Sequence, residues 1–314
     1  MLSRIAESLY WIGRYAERAE DTSRILDVQF HRLLEDPWID EDTACRALLA
    51  VMGAPMSEED ERSADSLDAL SVCELLAYDR TNPNSIVGAL TAARDNARGA
   101  REAIPSEMWE CLNATWYAIG DEIRKAHAMG PHGFFRYVKE RASILGGLAD
   151  STLSRDDGWR FLVLGRSLER VDMTARLLSA RWGDAGGSPG WVTTLRCCSA
   201  HEAYLRTYRR AVDASLVAEF LLLDRLFPRS VFHALSTAET CLAELDPMTG
   251  RVGLDDEARR ILGRARTDLE FQHSSDLLRE LPAHLARVQA ACSEAATAIG
   301  ARYFHQTAPI EWTA

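Results

Sequence analysis

Gly13-Arg14-Tyr15-Ala16-Glu17-Arg18-Ala19-Glu20-Asp21-Thr22-Ser23-Arg24-Ile25-Leu26 decides the reading of this chain, because it returns as Gly165-Arg166-Ser167-Leu168-Glu169-Arg170-Val171-Asp172-Met173-Thr174-Ala175-Arg176-Leu177-Leu178. Every position shifts by 152 without a gap, and seven of the fourteen are identical: Gly, Arg, Glu, Arg, Thr, Arg and Leu. Such an internal repeat sets the architecture before any local reading. In a chain of 314 residues it predicts two similar units, 1–150 and 151–314, each large enough to bury a core.

Both copies read as helix. In the first, Ile5, Leu9, Ile12, Ala16, Ala19 and Leu26 recur at alternating steps of four and three, with Ser23 filling the gap. In the second, Phe161, Leu164, Leu168, Val171, Ala175 and Leu178 occupy the same places. Ser3 is the expected N-cap of the first helix, and Ser154 with Asp157 resembles a capping box for the second. Arg14, Glu17 and Arg18 lie off the seam, but so do Tyr10, Trp11, Tyr15 and Ile25. A helix apolar on more than one face is central, and charges enclosed within it need partners.

The remainder is helix punctuated by loops. A helix is expected from Pro37-Trp38 to Met52, then an acidic connection from Gly53 to Glu61, then helices over 66–78, up to Ala103, from Ser106 to Met129 and on to Ala149. In the second unit a flexible loop, Gly183–Gly190, follows the repeated helix and places Trp191 where the first has Trp38. Helices follow over 199–225, 230–245 and 255–300, with a frayed tail from Thr307. The turn Asp79-Arg80-x-x-Pro83-x-Ser85 is answered by Asp224-Arg225-x-x-Pro228-x-Ser230, a second matched motif in the same order. The expected fold is all-α: a tandem duplication of a helical bundle, with about 11–12 helices and a pseudo-twofold axis between the repeated helices.

Composition narrows the function classes. A net charge of −11 disfavours general binding to nucleic acid or anionic membrane. Seven Cys with no Cys-x-x-Cys, two of them the adjacent Cys197 and Cys198, predict free thiols in a reducing, cytoplasmic setting without thiolate zinc. No signal peptide or membrane span is expected. No phosphate-binding Gly loop, dinucleotide fingerprint or Gly-x-Ser-x-Gly occurs, so no cofactor is expected. Glu270-x-x-His273 has the spacing of helical di-iron sites, but no second Glu-x-x-His accompanies it. His201-Glu202 and Glu280-x-x-x-His284 lack the rest of a zinc pattern, so no metal is expected. His127 and His132 flank a loop and read as exposed. Trp11, Trp38, Trp109, Trp116, Trp159, Trp182 and Trp191 read as packing anchors.

The candidate ligand-binding residues are Arg14, Glu17, Arg18, Arg166, Glu169 and Arg170, with Arg24, Arg176, Asp79, Arg80, Asp224 and Arg225 as secondary candidates. Three readings compete. Pairs within one helix (Arg14 with Glu17, Arg166 with Glu169, Glu20 with Arg24, Asp172 with Arg176) each contribute only about 0.2–0.5 kcal/mol. Arg18 and Arg170 could instead reach across to carboxylates of other helices and fix how the bundles dock. Or the arginines converge on one cleft and grip a carboxylate or phosphate, with Glu17 or Glu169 as general base. The Asp79-Arg80 and Asp224-Arg225 turns read as ion pairs that fix loops.

The segments Leu9–Glu20 and Gly158–Arg170, together with Ala93-Arg94-Asp95-Asn96-Ala97-Arg98 and Phe227-Pro228-Arg229-Ser230-Val231, resemble the alpha-E family, bacterial all-helical proteins with a tandem Glu-Arg motif. The resemblance covers nearly the whole chain. It implies gene-neighbourhood association with circularly permuted ATP-grasp ligases, transglutaminase-like proteins and proteasome-like hydrolases. On that basis the expected function is a non-catalytic accessory or scaffold role in a peptide synthesis or modification system. An enzyme or a binder of a small anionic or peptide ligand is the alternative.

Overall fold

The computed structural model describes residues 1–54, 67–182, 188–248 and 250–304, and every regular element among them is helical. The acidic connection, most of the Gly183–Gly190 loop and the tail from Thr307 fall outside these residues. The first half contains α1 (Ser3–Glu35), α2 (Glu41–Met52), α3 (Ala69–Cys73) running into a π turn (Glu74–Tyr78), α4 (Ile86–Gly99), α5 (Ser106–Met129) and α6 (His132–Thr152). The second contains α7 (Asp157–Trp182), α8 (Ser188–Cys197), α9 (His201–Tyr208), α10 (Ala214–Leu223), α11 (Val231–Leu245), α12 (Val252–Asp255), α13 (Glu257–Phe271), α14 (Ser274–Arg279) and α15 (Leu281–Tyr303).

The count exceeds the sequence expectation because two long stretches break. The helix expected over 199–225 is interrupted at Arg209, whose left-handed φ of 49° ends α9, and Ser199, at φ 53°, separates it from α8. The stretch 255–300 divides into α13, α14 and α15, with Asp256 capping the first through the Arg259 amide. The starts of the repeated helices also differ from expectation. Ser3 is already helical and Leu2 stands at the cap without a side-chain bond. Asp156, not Ser154, accepts from the amides of Gly158 and Trp159. Asp40 caps α2, leaving Trp38 outside it and 93% exposed, whereas Trp191 is buried. Trp38 is therefore no packing anchor and has no counterpart relation with Trp191.

The seams hold. Ile5, Leu9, Ile12, Ala19, Ser23 and Leu26 are buried on α1, where Ala16 is only half-buried, and all six expected positions are buried on α7. Ser23 is accommodated because its hydroxyl donates to the Ala19 carbonyl. α1 packs against α4, α6, α7 and α8, while α7 packs against α1, α11 and α15. The two halves follow one scheme: α1–α4–α5–α6 in the first, α7–α11–α13–α15 in the second, each pair of neighbours in contact and the last returning to the first. Their apolar side chains form one continuous core across residue 150.

The matched turns match in geometry. Asp79 and Asp224 each accept from backbone amides just downstream, Thr81 in one case and Leu226 and Phe227 in the other. Ser85 and Ser230 donate to the carbonyls of Asp79 and Asp224 and cap α4 and α11 through the amides of Gly88 and His233. These loops are fixed by carboxylate-to-backbone bonds rather than by the expected Asp-Arg pairs. Arg80 is exposed, and Arg225 pairs with Glu270.

Candidate functional site: the crossing of the two Glu-Arg helices

α1 and α7 meet at backbone distance. A Cβ on Gly13 would lie 2.1 Å from the Leu162 carbonyl oxygen, and one on Gly165 would lie 2.0 Å from that of Tyr10. Only glycine permits this approach, which brings the Glu-Arg segments one turn further along into register with each other.

The charges then exchange partners. Glu169 of α7 lies under two arginines of α1: Arg14 Nε at 2.7 Å and Arg18 Nε at 2.6 Å, with Arg18 Nη2 at 3.1 Å. Glu17 of α1 lies under Arg170 of α7 at 2.7 Å and under Arg229, from the turn before α11, also at 2.7 Å. Both glutamates are 3% exposed, so water contributes almost nothing to their solvation. The pairs expected within one helix, Arg14 with Glu17 and Arg166 with Glu169, do not form; those of Glu20 with Arg24 and Asp172 with Arg176 do. Tyr10 and Trp11 pack beside the Arg14 guanidinium and Tyr15 beside that of Arg18, which accounts for aromatic residues off the apolar seam.

The electrostatics follow the geometry. Burial works to raise the Glu17 pKa, but Arg229 and Arg170 outweigh it and hold the carboxyl at about 2. Glu169 is likewise below its usual range, burial being overcome by Arg14 and Arg18. Asp21 has longer contacts, 3.4 Å to Arg229 and 3.5 Å to Arg24, and burial pushes it up to about 7. Arg166 is depressed, first by burial and then by repulsion from Arg170.

Two cavities flank the crossing. One, of about 280 Å³, is lined by Glu17, Glu20, Arg166, Arg170 and Arg229 and closed by Ala142, Ser143, Leu145, Gly146, Gly147 and Ala149 of α6. The other, of about 700 Å³, is lined by Arg14, Arg18, Asp172 and Arg176 and closed by Gln289, Cys292 and Ser293 of α15. The arginines of the two motifs therefore divide between two cavities on different sides of the crossing instead of meeting in one cleft. Asp79, Arg80, Asp224 and Arg225 line neither.

Sequence reasoning missed Arg229 and Asn84, whose side-chain oxygen receives Arg18 Nη1 at 3.0 Å. Both stand immediately before the capping serine of the matched turns, so aligning the turns would have placed them beside the motif. It also missed Asp27, His31 and His132, whose donor atoms lie close enough to share a metal. His132 is half-buried, not exposed, with Nδ1 2.8 Å from Asp27, and Lys139 holds the other Asp27 oxygen at 2.6 Å. Asp27 thus already has cationic and hydrogen-bonding partners. Glu270 of the Glu-x-x-His segment is taken by Arg225 and Arg266.

An all-helical protein whose two longest described helices are cross-clasped by paired Glu-Arg segments is the class that this fold and site define. The chain belongs to the alpha-E family, described as a predicted alpha-helical domain with a conserved ER motif, which it matches over residues 1–304. Similar proteins include uncharacterized proteins of Mycobacterium bovis and of two Mycobacterium tuberculosis strains, each 24% identical over 294 residues. That match takes in 87% of this chain but only 33% of each relative, so the chain spans about a third of their length. No solved structure matches significantly.

Proposed function

We propose that this chain is a non-catalytic accessory module of a peptide synthesis or modification system, one that docks on a circularly permuted ATP-grasp ligase and transglutaminase-like proteins. The observation that carries the non-catalytic part is that both motif glutamates are enclosed by arginines at the α1–α7 crossing. A general base works best with a pKa near the operating pH, whereas Glu17 is held at about 2 and is sealed from solvent. The match to one third of longer relatives supports the accessory part, because there the alpha-E region operates alongside other sequence in the same chain. The seven buried free thiols are in keeping with a reducing, cytoplasmic setting.

We further infer that the chain arose as a tandem duplication, units 1–150 and 151–314, related by a pseudo-twofold axis at the glycine crossing. The reciprocal Gly13/Gly165 contacts and the reciprocal partners of Glu17 and Glu169 support this reading. Co-purification of the full chain with a circularly permuted ATP-grasp ligase from the same organism tests the accessory role. A stoichiometric complex at micromolar protein is the expected result; independent elution of the two would sink it.

A further inference from the structure

The two sides of the crossing differ at the residue before the capping serine of each turn, and on one side a motif arginine is left without a hydrogen bond. On one side Arg14 binds Glu169, and Asn84 of the first turn adds only a neutral acceptor for Arg18. On the other side the position of Asn84 is held by Arg229, which joins Arg170 on one Glu17 oxygen, while Arg166, the counterpart of Arg14, bonds neither oxygen of that carboxylate. Arg166 makes no hydrogen bond among the described residues. Its nearest carboxylate is Asp150 of α6, at 3.7 Å, beyond hydrogen-bond reach. Its side chain is 20% exposed and none of its nitrogens is sealed from solvent, so the guanidinium is partly hydrated and its five donors are free for a ligand.

Arg166 projects into the smaller cavity. Asp150 lines the same cavity at its exposed rim, and its carboxylate contacts Arg155 and Arg166 only at 3.7 Å. The other charges there are already matched: Glu17 by Arg170 and Arg229, Glu20 by Arg24 and Arg229. The cavity thus offers a cation inside and an anion at the mouth that face each other at 3.7 Å without a hydrogen bond, above a floor of Ala142, Gly146 and Gly147.

We propose that this cavity binds a small zwitterion of the α-amino-acid type, its carboxylate on the Arg166 guanidinium and its ammonium on Asp150. A volume of about 280 Å³ admits a ligand of that size and little more. A phosphate dianion matches less well, because only Arg166 lacks a hydrogen-bonded partner there and Asp150 would stand against the second negative charge. The proposal stands apart from the accessory role, since it concerns the isolated chain and needs no partner.

The test uses the purified full-length protein and saturation-transfer NMR with calorimetry. The probes are the twenty protein amino acids, acetate, methylammonium and inorganic phosphate. Wild-type protein is expected to bind at least one amino acid saturably and more tightly than acetate or phosphate. Arg166→Gln should weaken that binding roughly tenfold or more, since a charge-assisted pair is lost. Asp150→Asn should weaken the amino acid while leaving acetate unchanged. Because Arg166 holds no hydrogen bond, its variant should unfold at the wild-type urea midpoint, which separates loss of ligand from loss of fold. No saturable amino-acid binding up to about 10 mM, binding indifferent to Arg166→Gln, or acetate and phosphate bound as well as any amino acid would each overturn the proposal.

Discussion

Replacing Glu169 by Gln tests the crossing most directly, because the amide keeps the shape of the side chain and removes only its charge. In the wild type this carboxylate receives three hydrogen bonds from Arg14 and Arg18, at 2.7, 2.6 and 3.1 Å. Its side chain is 4% exposed, and those of the two arginines 13% and 18%. The amide oxygen can keep at most two of the three bonds, while the NH₂ group faces a guanidinium that has only donors to offer. Two largely desolvated cations are left without a counter-charge. Removing one partner of a buried pair costs about 3–5 kcal/mol, several times more than the pair is worth against an apolar replacement. Urea unfolding followed by tryptophan fluorescence and by circular dichroism measures the loss, provided that the two probes coincide. Arg166→Gln serves as the internal contrast, with an expected change within about 0.5 kcal/mol, as for a side chain without specific partners. If Glu169→Gln lies within about 1 kcal/mol of wild type, the clasp holds nothing together and the assignment of the motif to helix docking is wrong.

Gly165→Ala should destabilise by about 1–3 kcal/mol or prevent folding, because its Cβ would meet the Tyr10 carbonyl oxygen at 2.0 Å and neither backbone can yield; thermal melting checks it. Glu17 should make the protein acid-sensitive. Its folded pKa of about 2 lies below the ordinary 4.5, so its contribution of about 3 kcal/mol is complete above the ordinary value and disappears as pH falls through 2, a loss that Glu17→Gln should abolish in urea titrations. Asp21 acts in the opposite sense. Raised from 3.8 to about 7, it stabilises fully below 3.8 and loses that contribution as pH rises through 7, so Asp21→Asn should flatten the stability profile across this window. Cys197 is buried and pushed up to about 12, so a thiol reagent at neutral pH should label it only at the rate of unfolding; rapid labelling of native protein would contradict its placement.

The seams of α1 and α7 were legible because burial on a long helix follows a fixed angular period, and a second copy repeated the apolar pattern from Leu9 onward. The clasp was legible only as one of three possibilities. Arg14, Glu17 and Arg18 lie on one helix at spacings that permit local pairing, and nothing local says that the partner helix will pass at glycine contact. Gly13 and Gly165 carried that information, yet glycine within a helix also reads as a mere weak point. Arg229 lay beyond reach for a related reason: a residue 212 positions from Glu17 enters the site through the turn it belongs to, not through its neighbours in sequence. The breaks at Ser199 and Arg209 had no signal, since neither is Gly and left-handed φ at such residues is imposed by tertiary packing.

The bonds of Glu17 and Glu169 span 151 to 212 residues of chain. During synthesis α1 leaves the ribosome early with its glutamate bare, and Arg170 and Arg229 emerge only seconds later, given elongation at about 5–20 residues per second. Throughout that interval the amino-terminal helices can collapse on their apolar seam but cannot bury that face without stranding a charge. Nascent chain arrested before residue 229 should accordingly remain open to protease at α1, so that the last step of folding is the sealing of the first helix made.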